Sequence, residues 1–98
     1  MARLVRCALL QLGSDLPMNR PVEEIKAALN EKGARLIAAA AAGGVRVLAL
    51  PELFNTPYFA TATDSRWYAA AEPVPDGPTT ALMRELARRH GMVIVAPF

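Results

Sequence analysis

One glutamate of this sequence has a position suited to catalysis. Glu52 follows the apolar run of residues 47–50 by two positions, with Pro51 between them. In an open α/β sheet, ligands gather just beyond the carboxyl ends of the strands. A carboxylate at such an edge can act as a general base. On spacing alone, Glu52 could equally be a solvated strand end or a local cap.

The other residues that could carry chemistry favour structural roles. Cys7 lies in an apolar run, with neither histidine nor lysine near it in the sequence, which predicts a buried cysteine that acts as a small hydrophobic residue. His90 ends a predicted helix, where a cap or surface role is expected. With one histidine and one cysteine, no metal-binding cluster can be assembled, so no metal site is expected.

The composition describes one small globular domain. The chain has 98 residues, of which 53% are apolar and 20% are charged, a balance that argues against disorder. The formal net charge is +2, and only Arg88 and Arg89 form an arginine pair, so nucleic-acid binding is not expected. We see neither a signal peptide nor a membrane-spanning run, and a single cysteine can form no internal disulfide. We therefore expect a cytoplasmic protein that does not bind membranes.

The apolar pattern predicts the order βαβαβ. Residues 5–10, 45–50 and 92–96 are short apolar, β-branched runs typical of strands. Residues 45–50 are apolar at nearly every position, which is typical of a parallel strand covered on both faces. This order predicts parallel strands joined by right-handed crossovers.

Helix-capping residues bound the two predicted helices. We expect the first helix to be capped by Asn19 or Arg20, with Pro21 in its first turn, and to end at glycines 43–44. Its apolar stripe is Ile25, Leu29, Leu36, Ile37 and Ala40.

The second helix is expected to begin at Thr79 or Thr80 and to end at Gly91. A short helix is also expected around residues 65–71, within an aromatic-rich irregular segment. We predict that Leu82, Met83, Leu86 and Ala87 form the buried stripe of the second helix, and that Arg84, Arg88 and Arg89 form its solvated face.

Right-handed crossovers have a consequence for the sheet. If consecutive strands are neighbours, both helices pack on one face of the sheet and the other face lies bare. A bare apolar face with two open edges predicts that the rest of a larger fold, or another chain, covers it.

Four segments of the chain resemble the nitrilase superfamily of carbon–nitrogen hydrolases. Residues 49–59 read ALPELFNTPYF, which is similar to the family's first active-site segment, a strand that ends in Pro-Glu followed by an aromatic-rich loop. Residues 5–11 resemble the family's first strand, and residues 76–80 and 86–95 resemble its second helix and third strand. The closest likeness is to the β-ureidopropionase and N-carbamoylputrescine amidohydrolase branch.

The resemblance implies an α/β fold in which residues 1–98 are the amino-terminal βαβαβ portion of a nitrilase-type αββα sandwich. It also implies that Glu52 is the general base of a Glu-Lys-Cys triad. The family's lysine and nucleophilic cysteine lie on later strand ends, beyond Phe98, and Lys26 and Lys32 fall on the first helix instead. The 98 residues alone are therefore expected to be inactive.

The resemblance further implies a small-molecule amide substrate, with an N-carbamoyl amine or amino acid as the leading class, no cofactor, and a homo-oligomeric enzyme. The loop after the glutamate borders the family's substrate pocket, so Tyr58 or Phe59 is a candidate substrate-binding residue, although both could only pack the loop onto the sheet. We expect Trp67 and Tyr68 to serve in packing or in a subunit contact.

Several alternatives remain at this point. Within the superfamily, the parent enzyme could be an aliphatic amidase, a nitrilase or an amide-forming acyltransferase. Outside catalysis, the chain could be an α/β module that pairs with a second polypeptide through its bare sheet face. The sequence could also be a truncated piece of an ordinary enzyme.

Overall fold

The computed structural model describes residues 2–61 and 63–98 and contains the predicted βαβαβ order. Each strand is shorter than the apolar run that predicts it. Two 3₁₀ helices lie between the second strand and the second α-helix, and the latter of them confirms the short helix expected near residue 65. The elements are β1 (Cys7–Leu9), α1 (Val22–Ala42), β2 (Val47–Ala49), the 3₁₀ helices Phe59–Thr61 and Ser65–Ala70, α2 (Pro78–His90) and β3 (Val93–Val95).

The three strands form one parallel sheet in the order β1-β2-β3. In the register of the sheet, Val47 lies between Cys7 and Val93. Two residues further along β2, Ala49 lies between its own partners in β1 and β3. Consecutive strands are therefore neighbours, as the crossover argument requires.

Both α-helices pack against the same side of this sheet. Leu48, in the middle of β2, is completely buried under them, and α1 and α2 also contact each other. No helix in the described ranges is long and apolar enough to cross a membrane. The main core consists of Ile37, Val45, Leu48, Leu50, Phe54, Met83, Leu86 and Met92.

The opposite face of the sheet is open. Leu9 is 85% exposed, Val93 is 60% exposed and Val95 is 52% exposed. Cys7 is also exposed, so the prediction that it is buried is wrong for this chain. The physical reason is the alternation of side chains along a strand, which places Cys7 and Leu9 on the face away from the helices.

The start of α1 differs from the prediction. Pro21, rather than Asn19 or Arg20, is the N-cap residue, and no side chain caps this end. The Pro21 carbonyl accepts hydrogen bonds from the backbone N–H groups of Glu24 (3.0 Å) and Ile25 (3.2 Å). The Arg20 side chain instead pairs with the Glu24 carboxylate. Proline can start the helix in this way because the N-cap residue only has to accept hydrogen bonds through its carbonyl oxygen, and its missing N–H is not needed.

The start of α2 also differs from the prediction. Gly77 is the N-cap residue and Pro78 is the first helical residue, so neither Thr79 nor Thr80 is the cap. Proline suits the first helical position because it has no N–H group to leave unpaired. Thr79 therefore lies inside the first turn, and its own N–H needs an acceptor from elsewhere in the chain.

The two helix ends agree with the predictions. Gly44, directly after the end of α1, has a φ of +83°, and Gly91, which ends α2, has a φ of +58°. Both angles lie in the left-handed region, where only glycine escapes a steric penalty. The arginine-rich face of α2 is solvated as predicted, since Arg84, Arg88 and Arg89 are exposed.

Candidate functional site

Glu52 lies at the carboxyl edge of the sheet and is exposed. Leu50, two residues earlier, still belongs to the hydrogen-bonded ladder, because its N–H donates to the Val95 carbonyl at 2.9 Å. Pro51 then ends the pairing, since it has no N–H to donate. The carboxylate therefore emerges directly from the central strand at the edge where ligands gather in α/β sheets.

The backbone after Glu52 makes a tight turn. Leu53 has a φ of +53°, a left-handed conformation that costs a non-glycine residue about 1–2 kcal/mol. The turn is closed by a hydrogen bond of 3.1 Å from the Thr56 N–H to the Leu53 carbonyl. The Phe54 N–H donates to the Pro97 carbonyl at 3.2 Å, which ties the turn to the end of β3. These contacts hold the backbone next to Glu52 in a conformation that leucine would otherwise avoid.

The Phe54 ring anchors this turn in the core. It is 1% exposed and contacts Phe98 edge to face, with ring centroids 6.1 Å apart. A Cβ atom on Gly33 of α1 would lie 3.9 Å from the Phe54 Cε2 atom. The ring therefore lies in van der Waals contact with the helix layer, and the turn after Glu52 is fixed from the side of the helices.

A buried polar network attaches to the same turn through Asn55. The Asn55 side chain donates from Nδ2 to the Thr79 hydroxyl oxygen at 3.1 Å. The Thr79 hydroxyl donates to Glu72 Oε2 at 2.8 Å, and the Thr79 N–H donates to Glu72 Oε1 at 2.5 Å. Glu72 thus supplies the acceptor that the first turn of α2 requires, and it also forms an ion pair with Lys26.

The Lys26–Glu72 ion pair is almost inaccessible to water. The Lys26 side chain is 9% exposed and that of Glu72 is 5% exposed. Lys26 also donates from Nζ to the Ala70 carbonyl at 2.8 Å. Burial raises the pKa of Glu72, but the hydrogen bonds from Lys26 and Thr79 outweigh burial and hold this pKa below its ordinary value. The carboxylate is therefore ionised in the neutral range.

A cavity of about 240 Å³ lies between this network and the turn after Glu52. Phe59 lines it and stacks on Trp67, with ring centroids 6.0 Å apart and planes 10° apart. The Thr56 hydroxyl, which also lines the cavity, is buried without a hydrogen-bond partner among the described residues. The lining residues are Leu53, Asn55, Thr56, Phe59, Trp67, Tyr68, Ala70, Ala71, Glu72, Val74 and Phe98.

The structure places the three predicted site residues differently. Glu52 does not line the cavity, although its neighbour Leu53 does, and Phe59 lines the cavity directly. Tyr58 is 57% exposed and does not line it. The packing role predicted for Trp67 is confirmed, because Trp67 is 3% exposed and belongs to a small core cluster of α1.

Sequence reasoning missed the polar network. Lys26 was assigned to the first helix without a role, although it precedes the buried Leu29 by three residues and so shares a helix face with it. A lysine on a buried helix face requires an acidic partner. That signal points to an acid elsewhere in the chain, but it does not identify Glu72, which lies 46 residues further on.

Comparison with known proteins places this geometry in context. Residues 6–98 match the family described as carbon-nitrogen hydrolase. A β-ureidopropionase of Arabidopsis thaliana is 37% identical over 95 residues, which cover 97% of this chain and 23% of that protein. An N-carbamoylputrescine amidase of Solanum lycopersicum is 36% identical over 64 residues, or 65% of this chain and 21% of that protein.

A nitrilase of Pyrococcus abyssi is also similar, at 38% identity over 66 residues, which cover 66% of this chain and 24% of the nitrilase. The chain therefore spans less than a quarter of the length of each of these three proteins.

We expect Lys26→Met to destabilise the full-length protein strongly. The substitution leaves the buried Glu72 carboxylate without its cation, and removal of one partner of a buried ion pair costs about 3–5 kcal/mol. Lys32→Met is the matched control, because Lys32 pairs at 3.1 Å with an Asp15 side chain that is 80% exposed, and such pairs contribute about 1 kcal/mol or less. Urea denaturation would measure both, and equal losses would contradict the assigned role of Lys26.

The contribution of Glu72 to stability should depend on pH with a definite sign. Its pKa in the folded chain lies below the ordinary value of 4.5, so the unfolded state binds the proton more readily. The stabilisation is therefore complete above pH 4.5 and is lost as the pH falls through the lower folded pKa. Denaturation curves of the wild type and Glu72→Gln should converge as the pH is lowered. A difference in stability that stays constant down to the acid limit would refute this.

Proposed function

The chain belongs to the carbon–nitrogen hydrolase family, and we propose that its full-length protein hydrolyses a non-peptide C–N bond with Glu52 as the general base. One observation carries the proposal. Glu52 is exposed at the carboxyl edge of the central strand, and the backbone is hydrogen-bonded on both sides of it, by Leu50 to Val95 of β3 and by Phe54 to Pro97 just beyond β3. A base must be held in place in this way to act on a reacting group.

The proposed role of Glu52 follows the family's Glu-Lys-Cys triad. Glu52 takes the proton of a cysteine thiol, the thiolate attacks the carbonyl carbon, and a lysine stabilises the oxyanion that forms. Glu52 then passes the proton to the departing nitrogen and activates the water that hydrolyses the thioester.

Neither partner of the triad is among the cysteines and lysines of this chain. Cys7 lies on the open face of the sheet, and the only two lysines, Lys26 and Lys32, are paired with Glu72 and Asp15. We therefore assign the lysine and the nucleophile to a part of the protein beyond these 98 residues, and we expect these residues alone to be inactive.

The proposed substrate is an N-carbamoyl amine or amino acid, which would release ammonia, carbon dioxide and the amine. The names of two relatives, β-ureidopropionase and N-carbamoylputrescine amidase, support this class. The similarity to a nitrilase supports an aliphatic nitrile or amide as the second candidate. Phe59, which lines the cavity, and the exposed Tyr58 are the proposed substrate-binding residues.

The open face of the sheet supports a larger fold. We propose that residues 1–98 form the amino-terminal part of a single domain, and that a second sheet from the rest of the protein covers Leu9, Val93 and Val95 in an αββα sandwich. A cytoplasmic homo-oligomer without a cofactor completes the proposal. Its support is the likeness to the family and the single cysteine of the sequence.

Glu52→Gln should lower kcat of the full-length enzyme by about 10²–10⁴-fold, because the amide cannot accept the thiol proton. The fold should persist, since Glu52 is exposed. Ammonia release from N-carbamoyl-β-alanine and N-carbamoylputrescine would measure the effect. Glu23→Gln, which changes another exposed glutamate in the first turn of α1, is the matched control. Near-normal turnover by Glu52→Gln would sink the assignment.

The reactivity of the Cys7 thiol tests whether a second sheet covers the open face. In the native full-length protein, we expect Cys7 to react with a maleimide far more slowly than in the urea-unfolded protein, because the open face would be covered. A Cys7→Ser/Ala27→Cys variant supplies an exposed thiol on α1 as the control. Peptide mass spectrometry would follow each site. If Cys7 reacts as fast as the cysteine at position 27, the sandwich is wrong, and protection that appears only with a second polypeptide would indicate a pairing module.

A further inference from the structure

We propose that Glu72 is a positioning residue, whose carboxylate orients the Thr79 hydroxyl so that this hydroxyl holds Asn55 and the turn that carries Glu52. The proposal rests on the proposed function, because it gives Glu72 a role in placing the general base. Glu72 itself is not proposed to touch the substrate. Its effect passes through two hydrogen bonds and one turn of backbone.

The direction of the Thr79 hydroxyl decides whether the network can hold Asn55. A hydroxyl has one proton to donate and lone pairs to accept with. Glu72 Oε2, 2.8 Å away, can only accept when it is ionised, so the Thr79 proton points to Glu72. The oxygen is then free to accept from Asn55 Nδ2 at 3.1 Å and from Asn30 Nδ2 at 3.5 Å. The charge on Glu72 therefore sets the polarity of the whole chain of hydrogen bonds.

The Glu72 carboxylate is itself held from several directions. Lys26 forms the buried ion pair, and the Thr79 N–H donates to the second oxygen at 2.5 Å. The turn of residues 73–77 closes over it, with a hydrogen bond of 2.8 Å from the Gly77 N–H to the Pro73 carbonyl. A Cβ atom on Gly77 would overlap the Pro73 carbonyl oxygen and lie 2.8 Å from Glu72 Oε1. Any side chain at position 77 would therefore displace the Pro73 carbonyl, the Glu72 carboxylate or both.

The connection from Asn55 to Glu52 is short and stiff. Only two residues separate them, the left-handed Leu53 and the buried Phe54. Asn55 is 3% exposed, so its amide is sequestered from water and depends on Thr79. The Glu52 side chain is exposed, and the backbone on either side of it determines where the side chain is attached and in which direction it leaves the chain. Loss of the hydrogen bond from Asn55 would free the end of the turn that follows Phe54. The strained, left-handed Leu53 could then relax and move the backbone of Glu52.

The test compares three variants of the full-length enzyme. Thr79→Val keeps the size of the side chain but removes the hydroxyl, and Glu72→Gln removes the charge that orients it. We expect each to lower kcat by about 10–100-fold, the effect of a misplaced catalytic group, with KM changed less than about threefold. Thr79→Ser restores a hydroxyl at the same position, and its kcat should return to within about twofold of the wild type, as a positioning role requires.

A purely structural role is excluded by two further measurements. Met92→Ala removes a buried core side chain directly before β3, at the edge of the sheet opposite to Glu52, and should lower the unfolding midpoint without lowering kcat at a temperature where the protein is folded. The double variant Glu72→Gln/Thr79→Val should have the same kcat as the more impaired single variant, because both changes break one chain of contacts.

The possible outcomes separate this proposal from the proposed function. Unchanged kcat in Thr79→Val, together with loss of turnover in Glu52→Gln, would overturn the positioning role and leave the general base in place. Turnover in Glu52→Gln would remove both. If Glu72→Gln does not fold, the comparison of Thr79→Val with Thr79→Ser decides alone, and equal kcat in these two variants overturns the proposal.

Discussion

The buried Lys26–Glu72 ion pair is the interaction on which the region around the turn after Glu52 depends. Its partners come from α1 and from the segment before α2, so it joins two elements 46 residues apart. Two buried charges are tolerated only when their remaining hydrogen-bonding groups are satisfied. Here the Ala70 carbonyl and both donors of Thr79 meet that condition. The pair therefore fixes where the 3₁₀ segment lies on α1 and where α2 begins.

The hydrogen bond from Asn55 to Thr79 connects this ion pair to the carboxyl edge of the sheet. The turn after Glu52 is held by three different kinds of contact, namely a backbone hydrogen bond to Pro97 just beyond β3, the buried Phe54 ring and the Asn55 amide. Each of these acts from the side of the helices or from the end of the sheet. A left-handed Leu53 persists because these contacts together offset its strain. Leu53 and Asn55 of this turn also line the cavity beside it, so the backbone position of Glu52 and the shape of the cavity are linked.

The features of this fold that depend on local sequence could be predicted, whereas those that depend on long-range contacts could not. The βαβαβ order, the glycine helix ends and the place of Glu52 after a strand follow from local periodicity and backbone preference, which a short window contains. The N-caps were mispredicted because Pro21 and Gly77 start helices without a side-chain cap. The exposure of Cys7 was mispredicted for a different reason. An apolar run indicates that both faces of a strand can be buried, but it does not show which of the two faces these 98 residues cover. The network of Lys26, Glu72 and Thr79 was missed because its contacts are long-range.

The two faces of β2 differ in how far these 98 residues cover them. Leu48 points into a core that both helices complete within these residues, whereas Val47 and Ala49 lie on the open side between strands whose own side chains are largely exposed. All the contacts that shape the turn after Glu52 belong to the completed side or to the strand ends. The backbone around the proposed general base is therefore held by contacts within these residues and does not depend on a cover over the open face. The proposed nucleophile and oxyanion-binding lysine would need only to be brought to this edge, because the backbone that carries Glu52 is already held there.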